Sequence, residues 1–237
     1  MCLLKLENVY YSYKDAVLLN VLTDVNAEFE SGKIYSLLGK RSSGKTSLLA
    51  LLGGLDIPRK GNIYYKDSSL SEMNLEKYRS EDVGFIYKDI NLINHYTVKE
   101  NLYMSIELLK LTRKESKARL QELLDKFNIS RSLLRKKCSS LDFLEQQKVS
   151  LARACASRPS ILLADEPTGL LSIEESKIIL NMLHNLAHND NLCVIIATGN
   201  ENIAEDTDLA YSVADGIVTV KNFNYTKKGL FESPDNQ

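Results

Sequence analysis

The stretch Gly39-Lys40-Arg41-Ser42-Ser43-Gly44-Lys45-Thr46, GKRSSGKT, constrains this chain more than any other. It satisfies G-x-x-x-x-G-K-[ST], follows the apolar run KIYSLL and precedes the apolar helical run SLLALLGGL. A buried strand, a glycine-rich turn and a helix in that order form a cradle for phosphate. The glycines let backbone N–H groups turn inward, the helix N-terminus favours negative charge, Lys45 reaches the β and γ phosphates, and the Thr46 hydroxyl ligates Mg²⁺. A Gly/Ser turn alone can match such a motif by chance, but here the strand before it and the helix after it are both present.

A second segment fits the same chemistry. SILLAD (160–165) reads as a strand buried on both faces, with Asp165 at its end and Glu166 directly after it. Beside a phosphate loop, the first carboxylate is placed to hold a magnesium shell and the second to polarise an attacking water.

Further strands are expected in LLKLENVYYSY and VLTDVNAEFESG, which alternate as antiparallel strands do, and in CVIIAT (193–198), another unbroken apolar run. From residue 97 to 157 the pattern lengthens to helical periods, as in TVKENLYMSIELLKL and RKESKARLQELLDKFNI. The expected class is α/β: a P-loop NTPase core with a mainly parallel, RecA-like sheet, an N-terminal antiparallel β subdomain and an inserted α-helical subdomain. The expected boundaries are one domain over 1–222, with 1–87 and 158–222 forming the β subdomain and core, 88–157 the helical subdomain, and 223–237 a flexible polar tail.

Charged residues make up 26% of the 237 and balance to −1, so no field exists to hold DNA, RNA or an anionic membrane by charge alone, and nucleic acid is not an expected partner. Cys2, Cys138, Cys155 and Cys193 lack C-x-x-C spacing and read as reduced thiols in the cytosol. The N-terminus acquires Lys5 and Glu7 too early for a secretory signal, and no apolar run reaches the roughly 18 residues needed to span a bilayer, so any membrane role is expected to come through a partner.

Together with LLGGLDIPRKGNIYYKD, VGFIYKDINLINHYTVKENL, QQKVSLARA and LLADEPTG, these segments resemble the ATP-binding-cassette (ABC) family, in the branch that powers lipoprotein release and macrolide or peptide efflux. The resemblance runs from residue 3 to about 221. It implies ATP and Mg²⁺ as ligands, a transmembrane permease as partner, a homo- or heterodimer of nucleotide-binding domains, a cytoplasmic position at the inner face of the membrane, and export in preference to import. In that family each site is composite, with the phosphate loop and acids from one subunit and a signature loop from the other. Carried over by position, Gly39, Lys40, Arg41, Ser42, Ser43, Gly44, Lys45, Thr46 and Ser47 bind nucleotide, Thr46 and Asp165 hold the metal, and Glu166 is catalytic. Tyr13 takes the adenine-stacking position, with Tyr10 and Tyr11 as alternatives.

Four positions depart from the family pattern. Lys88 stands where a glutamine contacts the metal and relays to the permease; a cation cannot ligate a cation, so Lys88 either contacts phosphate directly or points to solvent. The signature LSGGQ is here LDFLE, Leu141 to Glu145. Asp142 would bring negative charge toward a phosphate across the dimer, a repulsion of about 4 kcal/mol for unit charges at about 4 Å and an effective dielectric near 20. Phe143 and Leu144 add bulk where glycines let the backbone approach. Ser172 replaces the aspartate of the aspartate loop, and Gly199 replaces the switch histidine. His95 lies in a distant loop, and His184 and His188, spaced i, i+4 on a helix without a third ligand, read as surface histidines rather than a zinc site.

Two functions follow from this sequence: an ABC transporter ATPase subunit with weak hydrolysis, or a non-hydrolysing nucleotide-binding scaffold that forms the degenerate half of a heterodimer. A P-loop enzyme outside transport, such as a kinase, leaves LLADEPTG and the helical insertion unexplained.

Overall fold

The computed structural model describes residues 2–13 and 20–223; beyond Phe223, the expected tail lies outside the described residues. The first strand, β1 (Cys2–Tyr11), pairs antiparallel with β2 (Leu22–Glu30) and with β4 (Lys60–Tyr65), whose free side carries the short β5 (Ser68–Ser69). Along β2 the side chains of Leu22, Val25, Ala27 and Phe29 are buried while those between them are less so, which is the alternation expected of a sheet with one covered face.

The second sheet has six strands in the order β10-β9-β3-β8-β7-β6, formed by β3 (Ile34–Leu38), β6 (Val83–Ile86), β7 (Ile161–Asp165), β8 (Cys193–Thr198), β9 (Leu209–Ala214) and β10 (Ile217–Lys221). All neighbours run parallel except β9 and β10. That pair is joined at Asp215-Gly216, both at positive φ (48° and 76°), as a tight hairpin turn requires. Gly216 is also needed sterically, since a Cβ there would lie 2.5 Å from the Val21 carbonyl oxygen.

The unbroken apolar runs of β7 and β8 are explained by what covers each face. Leu162, Ala164, Val194 and Ile196 point into one hydrophobic cluster, whereas Ile161, Leu163, Cys193 and Ile195 point into another. The second cluster also holds α1 (Lys45–Leu52) and the antiparallel sheet, with α2 (Leu75–Glu81) contributing the fully buried Tyr78. The first is filled by α3 (Val98–Glu107), α4 (Arg113–Lys126), α5 (Phe143–Ala154) and α6 (Ile173–His188), while α7 (Glu201–Glu205) packs beside β3 and β8. Burying each of these leucines and isoleucines contributes about 1.5–3 kcal/mol.

Helices α3, α4 and α6 begin with capping boxes, Thr97/Glu100, Thr112/Glu115 and Ser172/Glu175, so each start is fixed by its own sequence. Two buried polar side chains then tie the parts of the helical segment together. The Asn101 amide donates to the carbonyls of Ile93 and Thr97 and accepts from the Ile93 N–H, tying the loop after β6 to α3. Arg119, also buried, donates to the carbonyls of Cys155 (2.5 Å) and Ala156 (3.0 Å), placing a cation at the negative C-terminal end of α5. The C-terminus of α5, which carries the LDFLE segment at its other end, is thus anchored to α4 while the helix packs mainly on α3 and β6.

Cys138, Cys155 and Cys193 are buried and all four thiols are free; burial pushes the Cys155 thiol up to about 12, so it stays protonated and unreactive. Among the described residues no helix is long and apolar enough to cross a membrane.

Candidate functional site

Parallel pairing brings the strand ends together. Ile86 lies opposite Ala164, Asp165 opposite Ala197, and Leu38 opposite Thr198. The residues that follow, Tyr87-Lys88, Glu166, Gly199 and Gly39, line one carboxyl edge of the sheet, at the N-terminus of α1. Open α/β sheets bind ligands along this edge.

The phosphate loop takes the conformation its glycines permit. Gly44 has φ of 105°, and a Cβ there would meet Leu22 Cδ2 at 2.9 Å. Ser42 is also left-handed, at φ of 66°, and the turn is closed by the Ser43 N–H, which donates to the Lys40 carbonyl at 3.3 Å. Lys45 is only 6% exposed, and its Nζ donates to the carbonyls of Gly39 (2.7 Å) and Lys40 (2.8 Å). Burial lowers its pKa; Glu166 and Asp165 act in the opposite direction, and the charge of Lys88 lowers it further. Ser43 Oγ is buried without a hydrogen-bond partner. Thr46 Oγ1 donates to Asp165 Oδ2 at 2.8 Å. An orphaned hydroxyl at the N-terminus of α1, a buried ammonium and a hydroxyl–carboxylate pair of hard oxygens together suit a polyphosphate accompanied by Mg²⁺.

Asp165 is buried, and Glu166 beyond it adopts a left-handed backbone with φ of 46°. Its N–H donates to the Ala197 carbonyl at 2.9 Å and its carbonyl accepts from the Gly169 N–H at 3.1 Å, contacts that hold the uncommon conformation in place. A Cβ on Gly199 would lie 3.8 Å from Glu166 Oε1 and 3.6 Å from the Gly39 carbonyl oxygen, both ordinary contacts. A side chain starting at 199 would therefore begin between the carboxylate and the phosphate loop without a clash.

The three tyrosines near the N-terminus separate clearly. Tyr11 is buried and donates to Asp56 Oδ2 at 2.6 Å, and Tyr10 lies under the Lys60 ammonium, 5.1 Å from its ring centroid. Tyr13 is 52% exposed, packs edge-on against Tyr11, and places its hydroxyl 2.7 Å from Ser47 Oγ on the first turn of α1. Arg59 secures that segment by donating to the carbonyls of Ser12 and Tyr13, each at 3.2 Å. In the sequence Arg59 carries a single signal, a basic residue after Pro58 in the turn leading into β4.

At the altered loops, Asp142 is the N-cap of α5, and its Oδ1 accepts the Glu145 N–H at 2.7 Å. A carboxylate of the chain thus already occupies the hydrogen-bonding position at this helix N-terminus, with Phe143 exposed beside it. Ser172 likewise caps α6. His184 and His188 are each held 2.9 Å from a carboxylate, Asp206 and Asp208 respectively. Among the described residues no three His, Cys, Asp or Glu side chains gather as metal ligands.

The family described as ABC transporter matches residues 22–169. An uncharacterized ABC transporter ATP-binding protein, YclH of Bacillus subtilis, is 34% identical over 93% of this chain and 97% of its own. The lipoprotein-releasing system ATP-binding protein LolD of Buchnera aphidicola is 32% identical over 94% of this chain and 97% of its own. Among solved structures, the dimeric post-hydrolysis state of the ATP-binding cassette MJ0796 of Methanocaldococcus jannaschii, bound to ADP and Pi, superposes with a TM-score of 0.82 at 30% identity, covering 91% of this chain and 96% of that one.

Proposed function

Because the chain belongs to the ABC transporter family as an ATP-binding subunit, we propose that it binds Mg–ATP at the carboxyl edge of its parallel sheet and hydrolyses it only weakly. The observation carrying this reading is the convergence of Lys45, Thr46, Asp165 and Glu166 at one edge, set against an α5 N-terminus already capped by Asp142. In it, residues 1–222 act as one nucleotide-binding domain.

The phosphates lie in the loop Gly39–Thr46 and accept from its amides, from Ser43 Oγ and from Lys45. Thr46 and Asp165 would hold magnesium, which would supply positive charge to offset that of the phosphate oxygens. Tyr13 stacks on adenine above Ser47, and Glu166, fixed by its turn, accepts a proton from the attacking water. The loss of an imidazole at Gly199 leaves that water with one orienting group fewer.

The relative LolD is named for a lipoprotein-releasing system. We extend that to a transmembrane permease as partner for this chain, a position at the inner face of the membrane, and export of lipoproteins, peptides or antimicrobials. A second reading, a non-hydrolysing subunit in a heterodimer with another cassette, is favoured by Asp142: its carboxylate obstructs the partner's pocket, whereas an intact signature from the partner could still complete the pocket around Lys45.

Steady-state turnover of Mg–ATP by the full chain tests the reading. Glu166→Gln is expected to lower the residual rate by about 10²-fold or more while leaving the Kd for ATP within about threefold. An unchanged rate in that variant would remove Glu166 from the chemistry, and a wild-type rate equal to that of a cassette with an intact signature and switch histidine, assayed alongside, would overturn weak hydrolysis.

A further inference from the structure

Lys88 has no role in the chemistry above, yet it stands at the site. It lies two residues past β6, whose register with β7 ends at Ile86 opposite Ala164, so Lys88 leaves the sheet at the same carboxyl edge as Asp165 and Glu166. The ring of Tyr87 stacks on Phe85 at 4.4 Å between centroids, which fixes the backbone from which Lys88 leaves the sheet. Lys88 is exposed, and among the described residues no carboxylate lies within ion-pairing distance of it. Its charge acts on the buried Lys45 in the same direction as burial and more weakly than Glu166 and Asp165, which act the other way.

Lys45 and Lys88 are thus two ammonium groups at the same carboxyl edge of the sheet. A phosphate group reached by both gains two charge-assisted contacts. A divalent cation does the opposite, because Lys88 and the metal compete for the same phosphate oxygens and repel each other.

We propose that Lys88 is a second phosphate-binding lysine, reaching the terminal phosphate of bound nucleotide and supplying charge in place of the metal, so that this chain holds ATP with little dependence on magnesium. The proposal rests on the ATP-binding reading above. It carries a reciprocal consequence: whatever factor Lys88 removes from the magnesium dependence of ATP binding, it also removes from the affinity of the ATP-loaded chain for magnesium.

The test is equilibrium binding of ATP to the full chain by calorimetry, in excess Mg²⁺ and in EDTA. Wild type is expected to show a ratio Kd(EDTA)/Kd(Mg²⁺) below about threefold. Lys88→Gln, at an exposed position where the fold is insensitive, is expected to raise that ratio to at least about tenfold, mainly by weakening metal-free binding, whereas Lys88→Arg keeps the wild-type ratio. A Mg²⁺ titration of the ATP-loaded proteins gives the second readout, with tighter metal binding in Lys88→Gln by the same factor. Equal ratios in wild type and Lys88→Gln would overturn the role of Lys88 while leaving ATP binding intact. Absence of ATP binding under both conditions would overturn both readings.

Discussion

Replacing Lys45 with alanine is expected to raise the Kd for ATP at least about 100-fold, the loss of two charge-assisted hydrogen bonds worth about 1.5–3 kcal/mol each. Lys45 is the buried cation of the site, and its Nζ is held over the loop by the Gly39 and Lys40 carbonyls. The free protein should hardly notice the change. Burial depresses the folded-state pKa of Lys45 below its unfolded value. A depressed lysine penalises the folded state at every pH below its folded pKa, and the penalty disappears only as pH rises through the window up to the unfolded pKa. At neutral pH alanine removes that penalty together with the two hydrogen bonds, so the net change in stability is expected to stay within about 1 kcal/mol. Binding of a fluorescent ATP analogue together with thermal melting checks both halves. A Kd within about threefold of wild type would place the phosphates elsewhere.

The second large effect is a gain. Combining Asp142→Ser, Phe143→Gly, Leu144→Gly and Glu145→Gln with Gly199→His is expected to raise turnover by about 100-fold or more over wild type. Serine keeps the cap that Asp142 gives to the Glu145 N–H but removes the charge. The glycines uncover the backbone at the start of α5, and losing the partly buried Leu144 costs about 1–2 kcal/mol of packing. At 199 an imidazole begins 3.8 Å from Glu166 Oε1, with no backbone strain against it. These groups act on one transition state, so either repair alone should recover far less than the combination. A combined variant no faster than wild type would mean that neither loop limits hydrolysis.

Much of this was legible without coordinates because the relevant signals are local. GKRSSGKT carries its own turn geometry, the runs at 160–165 and 193–198 show two-sided burial, and T-x-x-E marks the starts of α3 and α4. Short strands such as β6, with four residues, hold too little periodicity to reveal their place, although β6 is what brings Lys88 to the site. From the sequence alone Asp142 reads as a charge aimed at a partner's phosphate. The structure adds that its carboxylate is already engaged by the helix it precedes, a contact three residues away that capping rules could have supplied. The pairing of His184 with Asp206 and of His188 with Asp208 was not legible, because it spans 22 and 20 residues across separate elements.

This chain's own pocket is expected to accept ATP while its α5 N-terminus refuses the phosphate of another copy. Light scattering of Glu166→Gln at saturating ATP tests it directly, because hydrolysis no longer empties the pocket. The expected result is a nucleotide-loaded monomer at micromolar concentration, converted to a dimer only when Asp142→Ser, Phe143→Gly, Leu144→Gly and Glu145→Gln are added. A stable ATP-dependent dimer of Glu166→Gln with the LDFLE segment intact would contradict it.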